Sequence, residues 1–120
     1  MVRSRWPRRV YGVGNEPDPR FSFANERTFL AWVRTSLALI AGGAAVEALD
    51  LPMHPVVQSV LAALLIVLGL LCVVASWIRW ALAERAIRTS APLPSMGFAA
   101  WLVLGVVVIA LVLVLAWVGR

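Results

Sequence analysis

Arg20, Arg27 and Arg34 recur at intervals of seven residues within the stretch PDPRFSFANERTFLAWVRTSLALIAGG, residues 17–43. On an unbroken α-helix this spacing puts three guanidinium groups on nearly one face, spread over about 21 Å. A guanidinium fork binds two oxygens at once, so such a row is chemistry for anions, phosphate-bearing ones above all and chloride less distinctively. From Arg27 the same face continues through Ala31, Arg34, Ala38, Ala41 and Ala45. Small residues at that spacing let helix backbones approach closely or leave room for a lumen. Asn25, Glu26 and Thr28 add polar groups around the start of the row. Glu26 and Arg27 are neighbours, so on a helix they point about 100° apart and pair more easily with another protomer than with each other. Capping the helix or hydrogen bonding across helices is the plainer role for Asn25, Thr28, Thr35 and Ser36.

The side chains that could support catalysis do not converge. Glu26, Glu84, His54 and Cys72 are scattered along the chain, no nucleotide-binding glycine loop is present, and a lone histidine makes a poor metal site. No catalytic residue, metal or cofactor is expected. Cys72 is the sole cysteine, which rules out an intramolecular disulfide. The basic tail could bind nucleic acid only unspecifically, and attachment to a membrane makes anionic lipid headgroups its more natural partner, so no nucleic-acid role is expected.

The elements that must hold the arginines are membrane helices. The chain has 120 residues, 62 % of them hydrophobic, and a mean hydropathy of +0.88, far from soluble usage. Val56–Ile78 and Met96–Val118 contain no charged residue, and each exceeds the roughly 20 residues that cross a hydrocarbon core. Thr28–Leu49 is also long enough but carries Arg34 and Glu47. An all-α membrane protein with three transmembrane helices follows, over about 19–49, 55–89 and 96–118, in a membrane domain of residues 18–120. Asp18 followed by Pro19 opens the first helix, because aspartate accepts from exposed amides and proline suits the first helical position. Prolines in LDLPMHP and TSAPLPSMG stop the helices between spans. Residues 1–17 are basic, lack the apolar run of a cleaved signal, and read as a retained tail, disordered or lying on a surface.

Arginines precede the first span and populate the loop between the second and third, whereas EALDLPMHP has acids and no arginine. The positive-inside rule then places the N-terminus in the cytoplasm and the C-terminus outside, with Trp77, Trp80 and Trp101 near the inner interface and Trp117 near the outer one. An arginine at a helix centre costs about 2.5 to 3.5 kcal/mol on insertion scales, less near the interface, where its stem can snorkel. Arg27 falls at that boundary and Arg34 about 10 Å further along the axis. The third span is almost wholly aliphatic, a lipid-facing wall, which leaves the first helix to face inward. Three helices cannot enclose two arginines and a lumen, so an inward row calls for a ring-like homo-oligomer with the first helix innermost, its arginines stacked as charged rings. Past the second span, Glu84 can meet Arg88 at i,i+4.

RFSFANERTFLAWVRTSLALIAGGAA, with the later RWALAERAIR, resembles the small three-helix YidH-like family, long labelled domain of unknown function 202. The resemblance covers about residues 17–118. It implies a multi-pass protein of the bacterial inner membrane. The same module is similar to the transmembrane part of the eukaryotic vacuolar transporter chaperone, which conducts polyphosphate as an oligomer. By that likeness Arg20 and Arg27 match basic positions that contact the polymer, Glu26 matches the acid of the shared NER, and Arg88 falls in a similar cytoplasmic AIR segment. Arg34 departs from the eukaryotic pattern, although an RT at this place is typical of the bacterial members. The chain has no polymerase domain, so the likeness implies no polyphosphate synthesis.

The expectation is therefore an oligomeric, arginine-lined path for anions, for instance phosphate or polyphosphate, formed around Arg27 and Arg34 with Arg20 at its entrance. The rival is a non-conducting scaffold whose arginines bind lipid phosphates or the acids of a partner membrane protein.

Overall fold

The computed structural model describes residues 5–95 and 97–119. Arg3, one of the arginines preceding the first span, and Met96, the expected start of the third, lie outside them. Four helices form among the described residues: α1 (Arg8–Tyr11), α2 (Pro19–Ala48), α3 (Pro55–Thr89) and α4 (Gly97–Val118). The last three are long and apolar enough to cross a membrane, and their bounds fall within a residue of those expected.

Local chemistry sets the helix ends. The Asp18 carboxylate accepts from the Arg20 amide at 3.0 Å, with Pro19 as the first helical residue. His54, expected as a loop residue, does the same work for α3, its Nδ1 accepting from the Val56 amide at 3.1 Å ahead of Pro55. Gln58 then donates to the carbonyls of Val46 and Leu49, both at 2.7 Å, and closes the turn between α2 and α3. At its other end α3 stops at Ser90, whose left-handed backbone (φ 55°) turns the chain toward α4.

Of the three long helices, α3 packs against both of the others. Small residues explain why α2 and α3 lie so close: a Cβ on Gly43 would fall 2.8 Å from the Ala62 carbonyl oxygen, and one on Gly69 would fall 2.8 Å from that of Ser36. Without side chains at these points the backbones gain close van der Waals contact, which drives helix association where lipid removes the hydrophobic driving force. Leu61, Ala62, Ser36 and Cys72 are buried along this seam. α4 packs on α3, with Leu68 filling the space over Gly105 and Ile109 buried. Most other α4 side chains are exposed.

The molecule is 64 Å long, about twice the thickness of a hydrocarbon core. At 1.5 Å per residue α2 and α3 run for about 45 and 52 Å, whereas α4 spans only about 33 Å. Phe98, at the start of α4, packs on Trp32 of α2 at 4.6 Å between ring centroids. The first three turns of α2 and the last turns of α3 therefore overhang the level at which α4 begins, and the polar side chains of both helices gather there.

Where the sequence reads as a disordered or surface-lying tail, residues 5–17 form a strap across the overhang. Trp6 stacks on Trp77 at 5.9 Å and Val10 is buried at 2 % exposure. Arg5 donates to Glu16 at 2.6 Å and closes the strap on itself. The anchoring is aromatic and polar rather than a run of aliphatic residues, so it leaves no periodic pattern.

Candidate functional site

The arginine row is continuous in the sense its spacing demands, because α2 runs from Pro19 to Ala48 without a break. Arg20, Arg27 and Arg34 are all exposed, as are Ala31, Ala38, Ala41 and Ala45. The residues of α2 that α3 covers are Asn25, Ser36 and Gly43. On a 100°-per-residue wheel that face and the arginine–alanine face are nearly opposite. The small-residue stripe singled out by spacing is thus the surface α2 turns away from its own protomer. A second small-residue line, Ser36–Gly43, makes the internal contact.

The arginines differ in their electrostatic state. Arg20 folds back on its cap, its guanidinium 2.8 Å from one Asp18 oxygen, and this pairing holds the Asp18 carboxyl below its ordinary range. Arg27 and Arg34 form no hydrogen bond or ion pair with any described residue. Since Phe98 contacts Trp32 at the start of α4, Arg34 lies only about 3 Å past that level along the helix axis.

Arg88 does not join the row. It is buried at 7 % exposure on α3. Its Nε donates to the Val13 carbonyl at 3.0 Å, one terminal nitrogen to the Tyr11 carbonyl at 3.1 Å, and the other to Glu16 at 3.3 Å. The guanidinium also stands over the Tyr11 ring at 5.5 Å. Its donors are spent on the strap, so Arg88 latches the N-terminal segment instead of receiving an anion. The strap in turn closes on the end of α3, where the Asn15 amide donates to the Arg88 carbonyl at 3.0 Å. Gly14 makes this approach possible: its φ is +63°, and a Cβ would overlap that carbonyl.

Nor does Arg88 pair with Glu84. Glu84 is buried at 3 % exposure and accepts from Ser22 Oγ at 2.6 Å and from Asn25 Nδ2 at 3.2 Å. The same Asn25 nitrogen donates to the Trp80 carbonyl at 3.1 Å. The expected polar collar is therefore divided. Asn25 bonds within its own protomer, Thr28 returns its hydroxyl to the Ala24 carbonyl at 3.1 Å, and Glu26 is exposed on the rim of a cleft.

That cleft, about 320 Å³, lies between the strap and the starts of α2, with Arg5, Tyr11, Glu16, Glu26 and Glu84 in its wall. The hydrogen bond from Arg5 holds Glu16 below the usual carboxylate range, and burial raises the Tyr11 phenol. Sequence reasoning passed over Ser22, Asn25 and Glu84 as a unit. The signal available was their place on the line Ser22–Asn25–Phe29–Trp32–Ser36–Gly43, which has the helical spacing of a packing face.

The family model described as "Domain of unknown function (DUF202)" matches residues 20–86, from the first arginine of the row to just beyond Glu84. The chain is 42 % identical over 110 residues to Uncharacterized protein MT2333 of Mycobacterium tuberculosis, which covers 87 % of this chain and 90 % of that protein. It is 39 % identical over 87 residues to Inner membrane protein YidH of Escherichia coli K12, 72 % of this chain and 76 % of that one. No solved structure matches.

Proposed function

From the DUF202 family, to which this integral membrane chain belongs, we infer a multi-pass protein of the inner membrane whose copies assemble around α2 into an arginine-lined path for anions. The observation that carries this reading is the exposed face of α2. Arg27 and Arg34 are unpaired among the described residues, and Ala31, Ala38, Ala41 and Ala45 continue their line on the side turned away from α3. A guanidinium facing acyl chains is costly, whereas one facing a shared, watered axis is not. Alanines alone leave room at such an axis.

On this reading the ring charges are Arg27 and Arg34. Arg20 stands at the mouth as an ion pair with Asp18, and Arg88 belongs to the latch. In this frame the strap and the α2–α3 overhang are cytoplasmic and the C-terminus is outside. Guanidinium rings favour phosphate or polyphosphate over monatomic anions, in line with the likeness to the vacuolar transporter chaperone's membrane module.

Purified protein reconstituted in liposomes is expected to pass phosphate-bearing anions, with flux lost in R27Q/R34Q. Equal flux in the double variant removes the proposal. A non-conducting scaffold is the second reading, favoured by the short distance of Arg34 from the start of α4, which brings lipid phosphates within reach of its stem. A path needs a closed ring of identical copies, so a monomer in native membranes would decide for the scaffold.

A further inference from the structure

We infer that the groove around Arg79, between α2 and α3, is a binding site for the phosphate of an anionic phospholipid headgroup. The groove, about 180 Å³, is lined by Arg79 together with Phe21, Thr28, Ala83, Ile87 and Leu93. Arg79 Nε is buried and has no hydrogen-bond partner among the described residues, and Arg79 makes no ion pair there. Buried polar groups are almost always satisfied, so an orphaned guanidinium nitrogen points to an acceptor from outside the chain. The surrounding polar groups are already committed. Asn25 donates to Trp80 and Glu84, and Thr28 donates to Ala24. Recognition therefore falls on the charged fork of Arg79, which suits two phosphate oxygens.

Position identifies the source of that phosphate. Arg79 is the first charge after the uncharged run Val56–Ile78, beside Trp77 and Trp80, so it sits at headgroup depth. The groove is smaller than the roughly 300–1,000 Å³ of an ordinary ligand pocket, enough for a headgroup with its chains lying outside. Phe21 and Leu93, 59 % and 61 % exposed, provide the apolar rim those chains would meet. The site lies on a different flank of α2 from the outward arginine row and stands whether or not that row conducts.

The test is native mass spectrometry of the full chain in lipid-free detergent, titrated with phosphatidylglycerol, phosphatidylcholine or inorganic phosphate. Phosphatidylglycerol is expected to bind more tightly than phosphatidylcholine, and R79Q to weaken it by about tenfold or more, the loss of a charge-assisted hydrogen bond. R85Q, which removes an exposed arginine from the same helix, is expected to stay within about twofold, as a screened surface charge should. Equal losses in R79Q and R85Q would reduce the effect to diffuse attraction and overturn the site. Displacement of the lipid by inorganic phosphate at similar concentration would also overturn it, in favour of a free-anion site. If R79Q does not fold, R79K serves, since it keeps the charge and loses the fork; wild-type affinity in R79K sinks the assignment. Thermal stability gives a second readout: phosphatidylglycerol should raise the midpoint of the wild type and leave that of R79Q unmoved.

Discussion

Asn25 of α2 donates to the Glu84 carboxylate of α3 across 3.2 Å, joining residues 59 positions apart in a place where both are buried. Ser22 and the Trp80 carbonyl complete the set. The overhanging ends of the two longest helices are thus fastened by neutral donors on one carboxylate.

A buried carboxylate deprived of a donor bears the desolvation cost that the bond offset. Asn25→Ala is therefore expected to destabilise the protein by about 1–3 kcal/mol. In a double-mutant cycle with Glu84→Gln the two changes should be non-additive, since both act on one bond. Equilibrium unfolding in mixed micelles measures each corner; strict additivity would show that the bond contributes nothing.

The contact between α2 and α3 depends on glycine at one position and not at its neighbour. A Cβ at Gly43 would meet Ala62 and Ile66 within 2.8 Å, whereas one at Gly42 finds only Leu65 at 4.0 Å. Gly43→Val should cost about 1–3 kcal/mol through overpacking, and Gly42→Ala should be neutral or slightly stabilising by helix propensity. Thermal midpoints of the two variants in one detergent decide the point, and equal behaviour would mean that the helices do not approach as closely as described.

These two features mark how far the sequence could be read. Asp18–Pro19, the uncharged runs and the loop prolines act locally, and each helix boundary follows from residues within a few positions of it. The register between helices does not. α2 has two small-residue lines, Ala31–Ala38–Ala45 and Ser36–Gly43, and composition alone cannot tell which one a neighbour covers; Gly69, in another helix, selects the second. The same holds for Arg88. Its i,i+4 spacing to Glu84 suggests a local pair, but each side chain takes its partners from far along the chain. The strap was missed because α1 is a single turn, too short for any period to register.

Releasing the latch should free the strap while leaving the membrane helices intact. Arg88→Ala removes hydrogen bonds to Tyr11, Val13 and Glu16, charge-assisted contacts worth about 1.5–3 kcal/mol each at most. Trypsin is then expected to cut at Arg8 and Arg9 about tenfold faster or more, because cleavage follows the population of the opened state. Gly14→Ala should do the same by a different route, through its left-handed backbone and the overlap with the Arg88 carbonyl. Unchanged cleavage in both variants would show that the Arg88 latch does not hold the strap.

The strap should also respond to acid. Glu16 is held below its ordinary value of 4.5, first by the hydrogen bond from Arg5 and then by that from Arg88. A depressed carboxylate contributes stability that is full above the unfolded value and is lost as pH falls through the folded one. Amide exchange over residues 8–15 should therefore be flat from neutral pH down to about 4.5 and rise below it, after correction for intrinsic rates. Glu16→Gln should abolish that rise. A wild-type profile matching that of the glutamine variant would remove Glu16 from the latch.

The outward face of α2 can be located directly by cysteine chemistry. Cys72 is buried, and Cys72→Ser provides a background in which introduced thiols report alone. Ala38 lies on the stripe that α2 turns away from α3, and Val107 on the exposed surface of α4. If copies gather around α2, Ala38→Cys in native membranes should give a ladder of crosslinked species with a short bis-maleimide, while Val107→Cys, facing lipid, gives little. A disulfide alone would need the two Cα atoms within about 7 Å, closer than a watered axis allows, so the spanning reagent is the informative one. The opposite pattern, a ladder from Val107→Cys and none from Ala38→Cys, would turn the arginine row toward lipid and leave α4 as the face on which copies meet.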